Sequence, residues 1–317
     1  MYLFKYNVLV GKCVQNLKIG KVTNMENIKY KARAKINLGL DVCRRLENGY
    51  HEVKMIMQTV DIYDELGVKK SKNQDIVLSV DSNDDLGDIT NNLIYKAAKL
   101  MKDEFDIKEG VEIQLKKNIP VAAGMAGGST DAAATMLAIN EIFELGQSKE
   151  KLMELGVKLG ADVPYCILGG TALAEGIGEK LTSLPAPPKA SVLVVKPPIM
   201  VSTKWVYETL RANELERHPD IDGMADALKE GSLKGITDRM ENVMETVTEI
   251  EYPIIANIKK MMKDKGALNA IMSGSGPSIF GVYEEETQAK EAAEYIEEQL
   301  RVENIIAQIF VTKFYNE

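Results

Sequence analysis

The stretch Asn118-Ile119-Pro120-Val121-Ala122-Ala123-Gly124-Met125-Ala126-Gly127-Gly128-Ser129-Thr130-Asp131 limits what this chain can become more than any other. Before it, Val111-Glu-Ile-Gln-Leu-Lys116 alternates apolar and polar residues as a half-buried strand does; after it, Ala132 to Asn140 is alanine-rich with helical spacing. A small-residue loop therefore joins a strand to the start of a helix. Such a junction gathers unpaired backbone N–H groups at the positive end of a helix dipole, and its Gly and Ala residues let a ligand approach the main chain. Phosphate suits that place. Ser129, Thr130 and Asp131 are suited to cap the helix, and their oxygens could equally face a nucleotide phosphate or its Mg²⁺. A plain capped loop ahead of a core helix fits the same residues. No Lys follows Gly128 and Met125-Ala126 separates the glycines, so neither the P-loop nor the Gly-x-Gly-x-x-Gly pattern is present.

The composition admits a large core. With 317 residues, 45% hydrophobic and 27% charged, the chain is long enough for two domains. A net charge of −8 and a pI near 5.2 argue against a nucleic-acid partner, because phosphate-backbone affinity needs clustered cations. Cys13, Cys43 and Cys166 are far apart and lack metal-ligand spacing, so they read as small buried hydrophobes. Two histidines, His51 and His218, exclude a His-rich metal site. No apolar run reaches membrane-spanning length, and the N-terminus lacks a basic region and a small-residue cleavage site, which together suit a soluble cytoplasmic protein. Met25 directly precedes the first well-patterned strand, so residues 1–24 read as an upstream extension of a chain starting at Met25.

In chain order, Ile28 to Val42 reads as a strand, Arg44 to Gly49 as a hairpin turn, and Tyr50 to Val60 as the return strand, ending at an acidic turn, Asp61 to Glu65. Asp75 to Val80 is a further strand, and Asn91 or Asn92 caps a helix through Met101. Past the central loop, Ser148 to Gly160 is a capped helix leading to Ala161-Asp162-Val163-Pro164. Short apolar runs follow about Gly169-Gly170, and Leu184-Pro185-Ala186-Pro187-Pro188-Lys189 is the most linker-like segment. The expected division is an ATP-binding domain over 25–184 and a second domain over 190–317. In the latter, a strand begins at Ser191, Ser202 and Thr203 cap a helix bearing Trp205 and Tyr207, and residues 221–249 are mostly helical. Ala270 to Tyr283 is strand, Gly/Ser turn, strand; a charged helix and a closing strand complete an α+β chain.

Three small-polar sites now stand in order: Lys35-Ile36-Asn37, the 120–131 loop, and Ser273-Gly274-Ser275-Gly276. In motif, order and separation the chain resembles the GHMP small-molecule kinase superfamily from residue 28 to about 312. Ala34-Lys35-Ile36-Asn37-Leu38, Asn48-Gly49-Tyr50-His51, Asn92-Leu93-Ile94, Pro120 through Ser129, and Leu159-Gly160-Ala161-Asp162-Val163-Pro164 resemble its branch acting on a cytidine-diphospho-methylerythritol in non-mevalonate isoprenoid synthesis. Ala122, Ala123 and Ala126 stand where some relatives carry Gly, which leaves the loop's backbone path open.

The resemblance implies a two-domain fold, its N-terminal part like domain 2 of ribosomal protein S5 and its C-terminal part a ferredoxin-like sandwich. It further implies ATP as phosphoryl donor, Mg²⁺, and a small-molecule acceptor phosphorylated on a 2-hydroxyl, with no nucleic acid or membrane partner, in a monomer or homodimer. Asp162 would accept the hydroxyl proton and Lys35 would gather carboxylate, hydroxyl and phosphoryl group. Pro120, Val121, Ala122, Ala123, Gly124, Met125, Ala126, Gly127, Gly128, Ser129 and Thr130 would wrap the triphosphate, with Asn92 near the adenine or ribose. Tyr50 would stack on the cytosine, His51 bond its edge and Tyr207 close the stack. Asn37, on the same strand face as Lys35, would bind the erythritol part with Thr203 beside it, and Ser273 and Gly274 would support the acceptor from the second domain. Taken singly, Asp162 could cap a turn, Lys35 could be solvated on an edge strand, and Tyr207 could be core.

Rival readings are a sister kinase acting on homoserine, mevalonate or a sugar, and a non-catalytic nucleotide-binding module, which would have no use for both Lys35 and Asp162. A nicotinamide-dependent oxidoreductase is excluded by the missing glycine fingerprint and its acidic partner.

Overall fold

A computed structural model describes residues 27–82 and 88–316. The supposed extension over residues 1–24, with Cys13 and Met25, lies outside the described residues. The strands are β1 (Ile28–Arg45), β2 (His51–Ser71), β3 (Ile76–Asp81), β4 (Gly110–Lys116), β5 (Thr171–Glu175), β6 (Lys180–Ser183), β7 (Ser191–Lys196), β8 (Asn269–Met272), β9 (Ile279–Tyr283) and β10 (Gln308–Lys313). The helices are α1 (Leu93–Glu104), α2 (Gly127–Ile142), α3 (Lys149–Gly156), α4 (Val163–Leu168), α5 (Thr203–Thr209), α6 (Ile221–Lys229), α7 (Leu233–Thr237), α8 (Glu245–Glu251), α9 (Ile254–Asp264) and α10 (Glu286–Val302).

Two sheets carry these elements. The first runs β3-β4-β2-β5-β6 with β1 paired to β2; the second runs β10-β7-β9-β8. Every pairing is antiparallel except β3 with β4. The chain leaves the first sheet at Ser183 and enters the second at Ser191, across the Pro-rich segment. An apolar cluster that includes Val42 and Met57 from the first sheet and Leu193 and Met272 from the second continues through both.

The hairpin β1–β2 is longer than its sequence suggests. Asp61 to Glu65, which resembles a turn, lies inside β2, with Tyr63 to Glu65 paired to Arg33 to Lys31 and Glu65 onward paired to β4. Two of its acidic residues are held within the fold: Arg33 Nε meets Asp61 at 3.2 Å, and Asp64 is wholly buried. Asp64 Oδ1 accepts from the backbone N–H groups of Asn118 (2.5 Å) and Ile119 (2.8 Å), and its Oδ2 takes Lys117 at 2.5 Å, so a single side chain ties the entrance of the central loop to the sheet. The segment Tyr165 to Leu168 belongs to α4, a single short helix, and α7 and α8 are separated by an irregular stretch.

Alanine content explains where α2 sits. Ten of its residues are buried, polar Thr130, Asp131 and Thr135 included, because small side chains let the helix pack between β1, β2, α1 and α4. Helix caps follow local chemistry elsewhere: Asn92, Ser148 and Ser202 each accept from a backbone N–H in the first turn of α1, α3 and α5.

Candidate active site

The central loop folds as a left-handed step into α2. Ala122 (φ 51°) and Ala126 (φ 56°) both occupy the left-handed region that costs an L side chain about 1–2 kcal/mol. So Ala keeps the path that Gly would take, at a cost the surroundings sustain. At Gly124 no such exchange is open, since φ is +71° and a Cβ would lie 2.1 Å from the carbonyl oxygen of Ser273. Ala126 is the N-cap residue and offers no side-chain bond, so α2 starts at Gly127. Ser129, Thr130 and Asp131 therefore lie inside the first turn, not at the cap expected of them. The first helical bond among them is Thr130 N to Ala126 O, 2.9 Å, which leaves the amides of Gly127, Gly128 and Ser129 directed out of the helix start.

That start opens into a cavity of about 450 Å³. Pro120, Val121, Ala122, Ala123, Gly124, Ala126, Gly127, Gly128 and Ser129 form one wall, and Lys35, Asn37, Asp162, Thr203, Tyr207 and Gly274 stand around the rest. Lys35 is 5% exposed, its Nζ donating to Asn37 Oδ1 at 2.9 Å and lying 3.8 Å from Asp162 Oδ2. Its backbone N–H donates to Met125 O at 3.2 Å, fixing β1 against the loop. Asp162 precedes α4 but makes no side-chain cap bond, so the carboxylate is left facing the ammonium. Asn37 Nδ2 points to Met55 Sδ at 3.1 Å.

Other expected residues fall elsewhere. Met125 is 1% exposed in the core and serves through its carbonyl. Thr130, 4% exposed, does not line the cavity, being turned about 100° around α2 from Ser129. Ser273 is buried, and its hydroxyl donates to Gly124 O at 3.0 Å; it supports the loop and does not reach the cavity. Asn92 lines the cavity, but its Oδ1 is engaged in capping α1. Tyr50 is 61% exposed and absent from the cavity wall, its amide held by Asn48 Oδ1 in the hairpin turn. His51, expected at the base's edge, stacks directly on Tyr207, expected to close the stack, with centroids 4.8 Å apart and planes at 30°. Thr203 Oγ1 is 2.7 Å from Ser275 Oγ.

Sequence patterns did not single out Lys117 or Asn242, and they offered Asp131 only as a cap or as a group facing phosphate or Mg²⁺. Lys117 Nζ bridges Asp64 and Asp131 (2.9 Å) beside the start of α2, and both Lys117 and Asp131 line the cavity. Burial pulls the ammonium down, but the two carboxylates outweigh it and hold Lys117 above the ordinary lysine value. Burial drives Asp131 far up, Asp64 adding to it against Lys117, and one Asp131 oxygen has no partner. Asn242 Nδ2 donates to Met272 O and Gly274 O, both at 2.8 Å, and so shapes the Gly/Ser turn. A lysine just ahead of the loop was the available signal; Asn242 had none.

Comparison with known proteins now bears on this geometry. The GHMP kinases N terminal domain model matches residues 92–170, and the GHMP kinases C terminal model matches 224–302. A 4-diphosphocytidyl-2-C-methyl-D-erythritol kinase of Lachnoclostridium phytofermentans is 50% identical over 291 residues, covering 92% of this chain and 98% of that protein. The chain belongs to the 4-diphosphocytidyl-2-C-methyl-D-erythritol kinase family. A Clostridium perfringens member is 45% identical across 91% of this chain and 99% of its own. The crystal structure of a 4-(cytidine 5'-diphospho)-2C-methyl-D-erythritol kinase superposes with a TM-score of 0.77 at 31% identity, over 92% of this chain and all of that one. A homoserine kinase from Cytophaga hutchinsonii reaches 0.75 at 22% identity, which speaks for the fold alone. The two sheets are thus the two-domain GHMP kinase fold, the protein is a small-molecule kinase, and its family implies ATP as donor. Among the described residues no helix is long and apolar enough to cross a membrane.

Proposed function

We propose that this kinase phosphorylates the 2-hydroxyl of 4-diphosphocytidyl-2-C-methyl-D-erythritol, forming the 2-phosphate and ADP in the cytoplasm, with Asp162 as base and Lys35 as charge stabiliser. The observation carrying the residue roles is the 3.8 Å pair of Lys35 and Asp162 in the same cavity as the start of α2. ATP supplies the phosphoryl group: its γ-phosphorus bonds to the acceptor oxygen as the bond to ADP breaks. Asp162 takes the hydroxyl proton. A carboxylate is a weak base, but a loose transition state lets the proton leave late, so its orientation by Lys35 outweighs basicity. The Lys35 ammonium faces the charge that builds on the transferring group, and the amides of Gly127, Gly128 and Ser129 hold the phosphate chain.

The residues fit a phosphate-borne Mg²⁺ and not an all-protein cage. Among the described residues no group of three or more Asp, Glu, His or Cys could hold a metal. Ser129 and the unpartnered Asp131 oxygen are the hard donors nearest the helix start, and Mg²⁺ commonly keeps waters and substrate phosphates as its other ligands. For the acceptor, Tyr207, His51 and Tyr50 form the base subsite once a ring separates His51 from Tyr207, with Asn37 and Thr203 toward the erythritol. A coupled ADP-release assay on the cytidine-diphospho substrate, homoserine and mevalonate tests the reading. Turnover on the first alone is expected; preferential turnover of either other alcohol overturns it.

A further inference from the structure

A second cleft, of about 200 Å³, lies on the far side of α2 and α4 from the catalytic cavity. Its floor is apolar: Ala134 and Leu137 of α2, Leu168 of α4, and the buried ring of Tyr165. Its rim carries Lys31, Arg33 and Lys149, while among the described residues no carboxylate lines it. In a chain of net charge −8, three cations line one small apolar cleft with no lining acid among the described residues, Asp61 and Glu141 bonding Arg33 and Tyr30 without lining it.

The cations are incompletely used. Among the described residues neither Lys31 nor Lys149 has a carboxylate within ion-pair distance, although Lys31 Nζ sits 4.2 Å from the Tyr63 ring centre. Arg33 donates through Nε to Asp61 at 3.2 Å and lies flat against Tyr315, its central carbon 3.4 Å from the ring centre. That fork is therefore fixed in orientation on one side by a carboxylate and on its face by a ring, while its terminal amino groups make no hydrogen bond among the described residues. Tyr315 is itself held, its N–H donating to Thr59 O and its carbonyl accepting from Gln58 Nε2. A pre-oriented guanidinium over an apolar floor is the arrangement that reads a planar or tetrahedral anion on a hydrocarbon body.

We propose that this cleft binds a small organic anion, a phosphate or carboxylate joined to a short apolar or aromatic body, independently of the catalytic cavity. In its wall Thr130 is on α2 with Ser129, and Cys166 is on α4, which Asp162 directly precedes, so the two cavities are separated by little more than the thickness of α2 and α4.

Phenyl phosphate is a suitable probe, with benzyl alcohol as its neutral counterpart. Calorimetric titration of the full chain, with the catalytic cavity saturated by a non-hydrolysable ATP analogue, is expected to show phenyl phosphate binding that persists. Binding should weaken at least tenfold in the doubly substituted Lys31→Ser, Lys149→Ser protein, whose exposed positions leave kinase turnover unchanged. It should weaken likewise in Leu137→Trp, which fills the floor without altering charge, and benzyl alcohol should not bind. Loss of phenyl phosphate binding when the ATP analogue is present assigns the probe to the catalytic cavity and overturns the proposal. Equal affinity in wild type and the double variant overturns it as well.

Discussion

At the scale of single residues, the site depends on two groups that no local pattern unites. Lys35 stands on β1 and Asp162 just before α4, and their 3.8 Å approach forms only when the fold is complete. Asp162→Asn keeps the shape and removes the base; kcat is expected to fall by about 10²–10⁴, the usual worth of a positioned general base, with the KM for ATP little changed. Turnover within a few-fold of wild type would reject the role. His51 yields two further expectations. His51→Ala should raise the KM for the cytidine substrate far more than that for ATP, and equal rises would remove it from the base subsite. Burial, with the Arg45 guanidinium adding to it, also lowers the His51 pKa below the ordinary imidazole value. The unfolded chain takes up that proton near the ordinary value of about 6.5 while the folded protein resists, so the unfolded state holds more protons in that window. Stability must then fall as pH drops through it. Between about pH 7.5 and about pH 5.5 the Tm of wild type should fall more than that of His51→Gln, since all other titrations are common to both; parallel curves would show that the shift has no thermodynamic weight.

At the scale of elements, the central turn separates two uses of small residues. Ala126, half-buried at the cavity wall, holds a left-handed conformation, whereas Gly124 is pressed against Ser273 O. Ala126→Gly relieves about 1–2 kcal/mol of strain and gives back about 0.4–1 kcal/mol through a looser unfolded chain, so it should be neutral to slightly stabilising. Gly124→Ala incurs that strain and drives a methyl into a carbonyl. Thermal scans with ATP titrations should show a lower Tm and weaker ATP binding for Gly124→Ala only; an unaltered Gly124→Ala protein would mean the turn is not seated on the second sheet. Much of this region was legible in the sequence, because the alternation before Asn118, the alanines after Asp131, and the Asn92, Ser148 and Ser202 caps are local signals. What was not legible is pairing over distance. Asp61 to Glu65 has the composition of a turn, and only partners 53 to 55 residues onward, Lys117, Asn118 and Ile119, make Asp64 an interior strand residue. The same limit hid the contact of His51 with Tyr207, whose rings belong to a hairpin in one sheet region and a helix beyond the linker.

Across the whole molecule, the catalytic cavity is a product of both halves and so is the interior beneath it. Leu40 on β1 donates its N–H to Glu241 O at 2.9 Å and accepts from Val243 N at 3.1 Å, a strand-like link between the first sheet's hairpin and the segment ahead of α8. Ser273 holds Gly124, Asn242 holds the turn that holds Ser273, and Val42, Met57, Leu193 and Met272 share an apolar cluster. Separating the halves would expose those buried side chains at roughly 25 cal/mol per Å² of apolar area and leave the Leu40 and Gly124 backbone groups without partners. Each half then loses part of its core, although a further cluster around Leu66, Met101 and Met136 lies wholly within the first. Calorimetry should therefore record one unfolding transition, its calorimetric enthalpy equal to the van't Hoff enthalpy, and Asn242→Ala should move that single transition downward instead of splitting it. Two resolved transitions, or an excised 25–184 fragment that folds with native near-UV circular dichroism, would show that the halves are autonomous and merely docked, and that the Lys35–Asp162 pair does not depend on the second sheet.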